Sequence, residues 1–258
     1  MALLTARRLL KANSFFLIWV ESKFISHVVS TTLTNIAFIM NNLEKLNSDI
    51  SLYQSLIFDM DGTLINSEIK HHEAWNHMLE AFGFKRLGSN VFYSFASLPG
   101  IVITNKICEQ YQSATPEKVD PVAMNEYKNE VYENIYIKQA EAFPFFVQLV
   151  KEAHARGQRI AVATSSRQHE AKFLLEKAGL LPYIDTIVSG DMVEHGKPNP
   201  DIYLLAAQKL QSKADQCLVF EDSVLGMKGA KVAKMDAVKV FDGHFDCEAI
   251  IRADNSQS

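Results

Sequence analysis

Two aspartates, Asp59 and Asp61, directly follow the short apolar run Ser55–Phe58, and Gly62 comes next. This pattern predicts a buried strand that ends in a tight turn. Two carboxylates at this spacing suit phosphate-ester hydrolysis, where Asp59 would attack phosphorus and Asp61 would act as general acid and then base. Attack by one anion on another requires a cation, and Mg²⁺ prefers hard oxygen ligands. We therefore expect Asp59 to be nucleophile and metal ligand at once.

Polar residues also stand at the ends of other predicted strands. Thr164 ends the run RIAVAT, and Glu221 and Asp222 follow the apolar run that begins at Cys217. Lys197 lies in the loop after the strand predicted near residue 187. Because ligands gather at the carboxyl ends of parallel strands, we expect all of these side chains to meet the aspartate turn.

Each of these residues receives an expected role from its chemistry. Asp222, with Glu221 beside it, would complete the metal shell, while Thr164 and Lys197 would contact the phosphoryl oxygens. The turn at Gly62 would let backbone N–H groups face the phosphate. Neighbouring carboxylates would help Asp61 to hold its proton until the leaving group needs it.

Simpler explanations exist for each motif. The aspartate turn could cap a helix or lie on the surface, and the acidic pair and the Thr164 segment could also be helix caps. Lys197 could be a solvated loop lysine. An EF-hand is excluded, because Leu64 and Lys70 stand where that loop requires Gly and Glu. Three histidines suggest a metal site, but a solvated helix face explains them better: His71, His72 and His77.

Beyond residue 50, short apolar runs alternate with helix-like stretches. Trp75, Met78, Leu79 and Phe82 recur at helical spacing, and Gly83 stands where a helix cap is expected. Alternation of this kind predicts an α/β fold with a Rossmann-like parallel sheet. A polar, helix-rich stretch interrupts the alternation after the first strand and predicts an inserted small helical cap. The expected division is a core of residues 51–67 and 141–245, a cap of residues 68–140 and a C-terminal tail of residues 246–258.

Composition limits the possible partners. The formal net charge of −4 offers no basic surplus for nucleic acid. Three widely spaced cysteines, an odd number, form no disulfide framework, so a reducing compartment and the cytoplasm are expected. Residues 1–50 differ from the rest and predict a disordered extension or a mis-assigned start, with Met40 as the natural beginning; a membrane or targeting element is the alternative. We expect a monomer or weak dimer that binds a small phosphorylated metabolite.

Four segments resemble the haloacid dehalogenase-like hydrolases, in the order in which that family carries them. They are FDMDGTLINSE at 58–68, AVATSS at 161–166, GKPNPDIY at 196–203 and VFEDSVLGMKGA at 219–230. The resemblance covers about residues 52–242. HHEAW at 71–75 and MDAVKV at 235–240 add a finer similarity to the β-phosphoglucomutase-like subgroup, and within it to bacterial fructose-1-phosphate and 6-phosphogluconate phosphatases.

The resemblance implies a catalytic pair and two sets of ligands. Asp59 and Asp61 would be catalytic, and the Asp61 carbonyl would join the side chains that hold Mg²⁺. The full expected metal set is Asp59, Asp61, Glu221 and Asp222. The expected substrate-binding set is Gly62, Thr164, Ser165, Lys197 and His71, the last at a position where mutases place a histidine near the acid/base.

One departure from the subgroup bears on the reaction. Where mutases carry a lysine and an arginine that grip the distal phosphate, this chain reads ASLPG at 96–100. Water would then take the phosphoryl group, which favours a phosphatase of a small sugar phosphate. A cation elsewhere in the cap, such as Lys106, could substitute, so β-phosphoglucomutase is the alternative. A phosphate-binding protein without activity is a third hypothesis.

Overall fold

The computed structural model describes residues 49–253, except for residues 96, 97, 117, 118 and 242. Of residue 93 and residues 244–249 it describes the backbone alone. Residues 1–48, on which most of the predicted N-terminal extension falls, lie outside the described residues. Within the described part, no helix is long and apolar enough to cross a membrane.

A mostly parallel sheet forms the centre of the molecule and confirms the predicted fold class. Its order in the described residues is β5-β4-β1-β6-β7-β8, so the first strand lies inside the sheet between β4 and β6. β8 pairs antiparallel with β7, and every other neighbouring pair is parallel. The strands are β1 (Ser55–Phe58), β4 (Arg159–Thr164), β5 (Thr186–Ser189), β6 (Cys217–Glu221), β7 (Asp236–Phe241) and β8 (His244–Ile251).

Both faces of β1 are buried, which is why its sequence is continuously apolar. On one face Ile57 belongs to a cluster with Ala161 and Ile202. On the other face Phe58 stacks on Phe220 with ring centroids 4.7 Å apart, and Phe146 meets Phe58 edge-on at 6.2 Å. Core helices thus cover both sides of the sheet, as right-handed βαβ connections require. These helices are α5 (Pro144–Ala155), α6 (Gln168–Lys177), α7 (Asp201–Lys209) and α8 (Val224–Val232).

The cap helices lie between two short strands, β2 (Ile65–Asn66) and β3 (Glu141–Ala142), which pair antiparallel where the chain leaves and re-enters the core. The predicted helical stripe is confirmed, since Trp75, Met78 and Leu79 are buried in the first of these helices. The helices are α1 (Glu68–Ala81), α2 (Ser89–Ser94), α3 (Gly100–Gln110) and α4 (Pro121–Val131), and a π-helical turn follows at Tyr132–Tyr136.

The end of the chain differs from the prediction. We expected residues 246–258 to be a tail, but β8 occupies His244–Ile251. Apolar and acidic residues alternate from Phe245 to Ala249, which is the period of a strand with one face exposed. A turn at Gly243, whose φ is +68°, reverses the chain between β7 and β8.

Candidate active site

The carboxyl end of β1 delivers Asp59 into a buried ion-pair cluster. Asp59 is 5% exposed, and its backbone N–H donates to the Phe220 carbonyl and so extends the ladder to β6. The side chain of Lys197 is 1% exposed, and its ammonium donates to Asp59 Oδ1 and lies 2.7 Å from Glu221 Oε2. Lys197 is therefore a buried partner of two carboxylates, and not the solvated loop lysine that the sequence left open.

Glu221 is hydrogen-bonded at both oxygens. Its Oε2 accepts from Lys197 and from the Tyr203 hydroxyl at 2.7 Å. Its Oε1 accepts from the backbone N–H of Ser223 at 2.9 Å and from the Ser223 hydroxyl at 2.7 Å. The Ser223 hydroxyl in turn accepts from the Gly226 N–H and caps α8. Capping, the simpler explanation considered for the segment Glu221–Ser223, thus occurs through Ser223, while Glu221 pairs with Lys197.

Asp222 projects over the aspartate turn. Gly62 has a φ of +83°, and a Cβ at that position would collide with Asp222 Oδ2. Glycine is thus required both for the left-handed backbone and for the close approach of the carboxylate. The Gly62 N–H donates to the Ile65 carbonyl at 2.8 Å. We expected this turn to direct N–H groups at a phosphate, but the N–H of Gly62 itself closes the turn.

Asp59, Glu221 and Asp222 together form an acidic cluster. Each offers a carboxylate oxygen, and these atoms lie within 4.8 Å of one another. Burial and the charge of Glu221 raise the pKa of Asp59, although Lys197 acts in the opposite direction. Burial and the same glutamate raise the pKa of Asp222 to about 8. If all three were ionised, they would carry more negative charge than the Lys197 ammonium balances.

The donor set fits a hard divalent cation. Carboxylate oxygens at this separation are the ligands that such ions prefer, and the raised pKa values indicate a local deficit of positive charge. The oxygens of Asp59 and Asp222 are better placed to coordinate than those of Glu221, which already accept four hydrogen bonds. This arrangement suits Glu221 to holding Lys197 in place.

Asp61 occupies a different environment from Asp59. Its Oδ1 accepts from the Ser67 hydroxyl at 2.5 Å, and its Oδ2 accepts from Thr164 at 3.1 Å and from Ser166 at 2.7 Å. Burial raises the pKa of Asp61, but the nearby His71 imidazole and the hydrogen bonds from Ser67 and Ser166 outweigh it and hold the pKa below its usual value. These donors favour the ionised form of Asp61, in contrast to our expectation that nearby carboxylates help it to hold its proton.

His71 connects Asp61 to the cap. Its Nε2 lies 3.6 Å from Asp61 Oδ1, and the Lys128 ammonium lies 3.1 Å from its Nδ1. The ring stacks on Tyr132 with centroids 3.8 Å apart. Burial and the charge of Lys128 lower the pKa of His71. An ammonium can only donate, so Nδ1 accepts and Nε2 carries the proton that points at Asp61. His71 therefore meets the acid/base candidate as the predicted position implied.

Core and cap line one cavity of about 470 Å³ between them. Asp59, Asp61 and Asp222 line it from the core, and the exposed Ser165 lies on its rim. Lys128 lines it from α4, with its pKa lowered to about 8 by burial. Among the described residues of the cap, the lysine that lines this cavity is thus Lys128 and not Lys106, which we had considered. Two residues of the cap segment that departs from the mutases, 96 and 97, lie outside the described part of the chain.

Sequence reasoning missed several residues of this site. Ser67 and Ser166 lie inside two of the motifs, so a search for hydroxyls near the acid/base could have found them. Glu68 follows Ser67 and lines the cavity, with its pKa raised to about 7 by burial and by Asp61. Tyr203 ends the motif GKPNPDIY, so the same search could have found it. Lys128 carries no local signal, because only the fold brings it to the site.

The fold and the site define a class of hydrolase. A family model described as haloacid dehalogenase-like hydrolase matches residues 56–240. Since this match spans most of the chain, the protein belongs to the haloacid dehalogenase-like hydrolases, and the resemblance found in the sequence is confirmed.

Individual relatives narrow the class to phosphatases. The chain is 37% identical over 188 residues to fructose-1-phosphate phosphatase YqaB of Escherichia coli (strain K12), covering 73% of this chain and 96% of that protein. It is 31% identical over 188 residues to a phosphorylated carbohydrates phosphatase of Thermotoga maritima, covering 72% and 83%. The predicted class, phosphoric monoester hydrolase, agrees with both. The fold is similar to that of β-phosphoglucomutase from Clostridium difficile, with a TM-score of 0.63, 23% identity, and coverage of 72% and 84%.

Proposed function

We propose that this chain is a Mg²⁺-dependent phosphatase that hydrolyses a small sugar phosphate through an aspartyl-phosphate on Asp59. The observation that carries this proposal is the meeting of three carboxylates within 4.8 Å beside a buried lysine that contacts Asp59. A helix cap or a surface turn would not need a buried ammonium between two carboxylates, because burying charge is costly unless it is paired.

In the first half-reaction, a carboxylate oxygen of Asp59 forms a bond to phosphorus while the ester P–O bond breaks. The leaving alkoxide takes a proton from Asp61. In the second, Asp61 removes a proton from water, whose oxygen attacks phosphorus and releases phosphate and the Asp59 carboxylate. Approach of the anionic phosphate would raise the pKa of Asp61, because a nearby like charge disfavours its ionised form.

Mg²⁺ would be held by the side chains of Asp59 and Asp222 and the Asp61 carbonyl, with Glu221 next to this shell. When bound, it would offset the repulsion between the Asp59 carboxylate and the phosphate. Lys197 would contribute a fixed positive charge to the transferring oxygens, since its ammonium already lies against Asp59. Thr164 and Ser165 would flank the phosphoryl group from the end of β4.

The sugar-phosphate assignment is supported by the relatives, two of which are phosphatases of phosphorylated carbohydrates by name. Fructose 1-phosphate and 6-phosphogluconate are the substrates that we propose first. The cavity of about 470 Å³ lies within the range of roughly 300–1,000 Å³ that small-molecule sites occupy.

The test is phosphate release from a panel of sugar phosphates, measured with Mg²⁺ and again with EDTA. We expect release from at least one sugar phosphate, its loss in EDTA and its recovery on adding Mg²⁺. Asp59→Asn should abolish turnover. The matched control is Asp215→Asn, which changes an exposed aspartate of the core domain. Metal-dependent release that survives Asp59→Asn would rule out the aspartyl-phosphate route.

Mutase activity is the second candidate, because the structural relatives include a β-phosphoglucomutase. A mutase must bind the distal phosphate of a bisphosphate, which requires a cation in the cap. The Lys128 ammonium is already engaged, because it contacts His71 and lies 5.3 and 5.0 Å from the ring centroids of Trp75 and Tyr132. Incubation with β-glucose 1-phosphate and a bisphosphate activator separates the two. Glucose 6-phosphate without free phosphate would favour the mutase.

A further inference from the structure

Two asparagines on the cap side of the cavity remain without a role in the phosphoryl chemistry. Asn125 and Asn129 lie one turn apart on α4 and both line the cavity. Residues one turn apart lie on the same helix face, so the two amides are neighbours. Lys128 lies on the same helix and also lines the cavity, but its ammonium is bound to His71.

The hydrogen-bonding capacity of the Asn125 amide is not fully used. Its Oδ1 is buried and has no hydrogen-bond partner among the described residues. It packs against Gly100, the first residue of α3, where a Cβ would collide with it. An unpaired buried acceptor costs roughly 1–3 kcal/mol, and such groups call for an explanation in function or strain. A ligand in the cavity can supply the missing donor if the side chain turns towards it.

The chemistry of this wall selects a hydroxyl-rich group over a second anion. The described residues that line the cavity include one lysine, Lys128, and one arginine, Arg167. The lysine already contacts an imidazole, and the arginine already forms an ion pair with a carboxylate. The rest of the cap wall is largely apolar, with Phe92, Phe95 and Ile103 among its residues. A carboxamide both donates and accepts, which matches a hydroxyl, whereas a second phosphate would require a free cation.

We propose that Asn125 and Asn129 are specificity residues that hydrogen-bond hydroxyl groups of the sugar while its phosphate lies against Asp59. This inference rests on the proposed sugar-phosphate phosphatase activity and assigns the residues that recognise the uncharged end of the substrate. Few but well-placed polar groups in an otherwise apolar wall are the usual means of fixing a ligand's orientation.

The test compares two esters that share the phosphate but differ in hydroxyls. The selectivity ratio is kcat/KM for fructose 1-phosphate, or the best sugar phosphate of the panel, divided by kcat/KM for p-nitrophenyl phosphate. Asn125→Leu and Asn129→Leu keep the branched shape and the number of heavy atoms and should each lower this ratio about three- to tenfold, the loss of one hydrogen bond. Glu126→Ala, an exposed change on the same helix, should leave both the ratio and the activity unchanged. An unchanged ratio in both asparagine variants, or an equal loss on both esters, overturns the proposal.

A binding measurement separates this inference from the proposed function. Calorimetry in the Asp59→Asn background, with Mg²⁺ present, gives the affinities for fructose 1-phosphate and for inorganic phosphate. The asparagine variants should weaken the first about three- to tenfold more than the second. If the wild type hydrolyses neither ester, the proposed function fails, and this binding difference alone decides whether the two amides recognise the sugar. Equal weakening of both ligands overturns the inference even where the enzyme is active.

Discussion

Replacement of the ionisable Asp222 carboxyl group by an amide should stabilise the protein when no metal is bound. Asp222 accepts one long hydrogen bond from Thr63, at 3.5 Å, and its carboxyl group lies beside Gly62 together with that of Glu68. Burial and the charges of Glu221 and Glu68 raise its pKa from 3.8 to about 8. In the unfolded chain the same carboxyl ionises near its ordinary pKa, so folding forces it to keep a proton at neutral pH.

The magnitude follows from the difference between the two pKa values. pH 7 lies about three units above the pKa of Asp222 in the unfolded chain and below its pKa in the folded protein. Each unit corresponds to about 1.4 kcal/mol, so ionisation of Asp222 favours the unfolded state by at most about 4 kcal/mol. Because Asp222 is partly exposed and water screens its charge, we expect Asp222→Asn to recover about 1–3 kcal/mol. For a chain of this size that is a rise of roughly 2–12 °C in Tm.

The sign of the pH dependence provides a second readout. Between about pH 4 and pH 8 the folded state binds more protons than the unfolded state, so stability in EDTA should fall as pH rises through this window. Asp222→Asn should flatten that decline, and Mg²⁺ should raise the Tm of the wild type more than that of the variant.

The assay is thermal unfolding of the wild type, Asp222→Asn and Asp215→Asn in EDTA and in Mg²⁺ from pH 5 to pH 8. Asp215 is exposed, so the control change should alter stability by less than about 0.5 kcal/mol. A lower Tm for Asp222→Asn than for the wild type in EDTA at pH 7 would refute the reasoning that excess negative charge strains this cluster.

Three further changes follow from the same geometry. Lys197→Met should destabilise the fold by about 3–5 kcal/mol, because it leaves two buried carboxylates without their cation; denaturant unfolding that shows less than about 1 kcal/mol would contradict this. Gly62→Ala should reduce both stability and activity, since the φ of Gly62 is +83° and a Cβ there would meet the Asp222 carboxylate. The control Gly179→Ala, with a φ of +66° and open space around its Cβ, should affect stability alone. Similar kinetics for the two variants would argue against the steric role of Gly62. Lys128→Met should raise the pKa of His71, because it removes a positive charge 3.1 Å from Nδ1; NMR titration of the imidazole would show this, and an unchanged or lower pKa would contradict it.

The sequence predicted the parallel sheet well, because each buried strand is a continuous apolar run bounded by turn residues. Arg159–Thr164 and Thr186–Ser189 have the bounds that the pattern indicated. β8 was missed because alternation of apolar with acidic residues is a weaker signal than a continuous run. In the site, strand-end position was sufficient to gather the acidic residues. It could not reveal Lys128, which reaches His71 only because α4 packs against α1 within the cap.

The two aspartates of the turn show how one short segment can supply two chemically different carboxyl groups. Burial and neighbouring carboxylates raise the pKa of Asp59, whereas hydroxyls and an imidazole outweigh burial at Asp61 and lower its pKa. Environments that push two pKa values apart are a usual sign of divided acid, base and nucleophile roles. If Asp59 is the nucleophile, as we propose, additional positive charge at the cluster favours its ionised form. Dependence on a divalent cation then has a basis in the nucleophile itself, in addition to the neutralisation of the substrate.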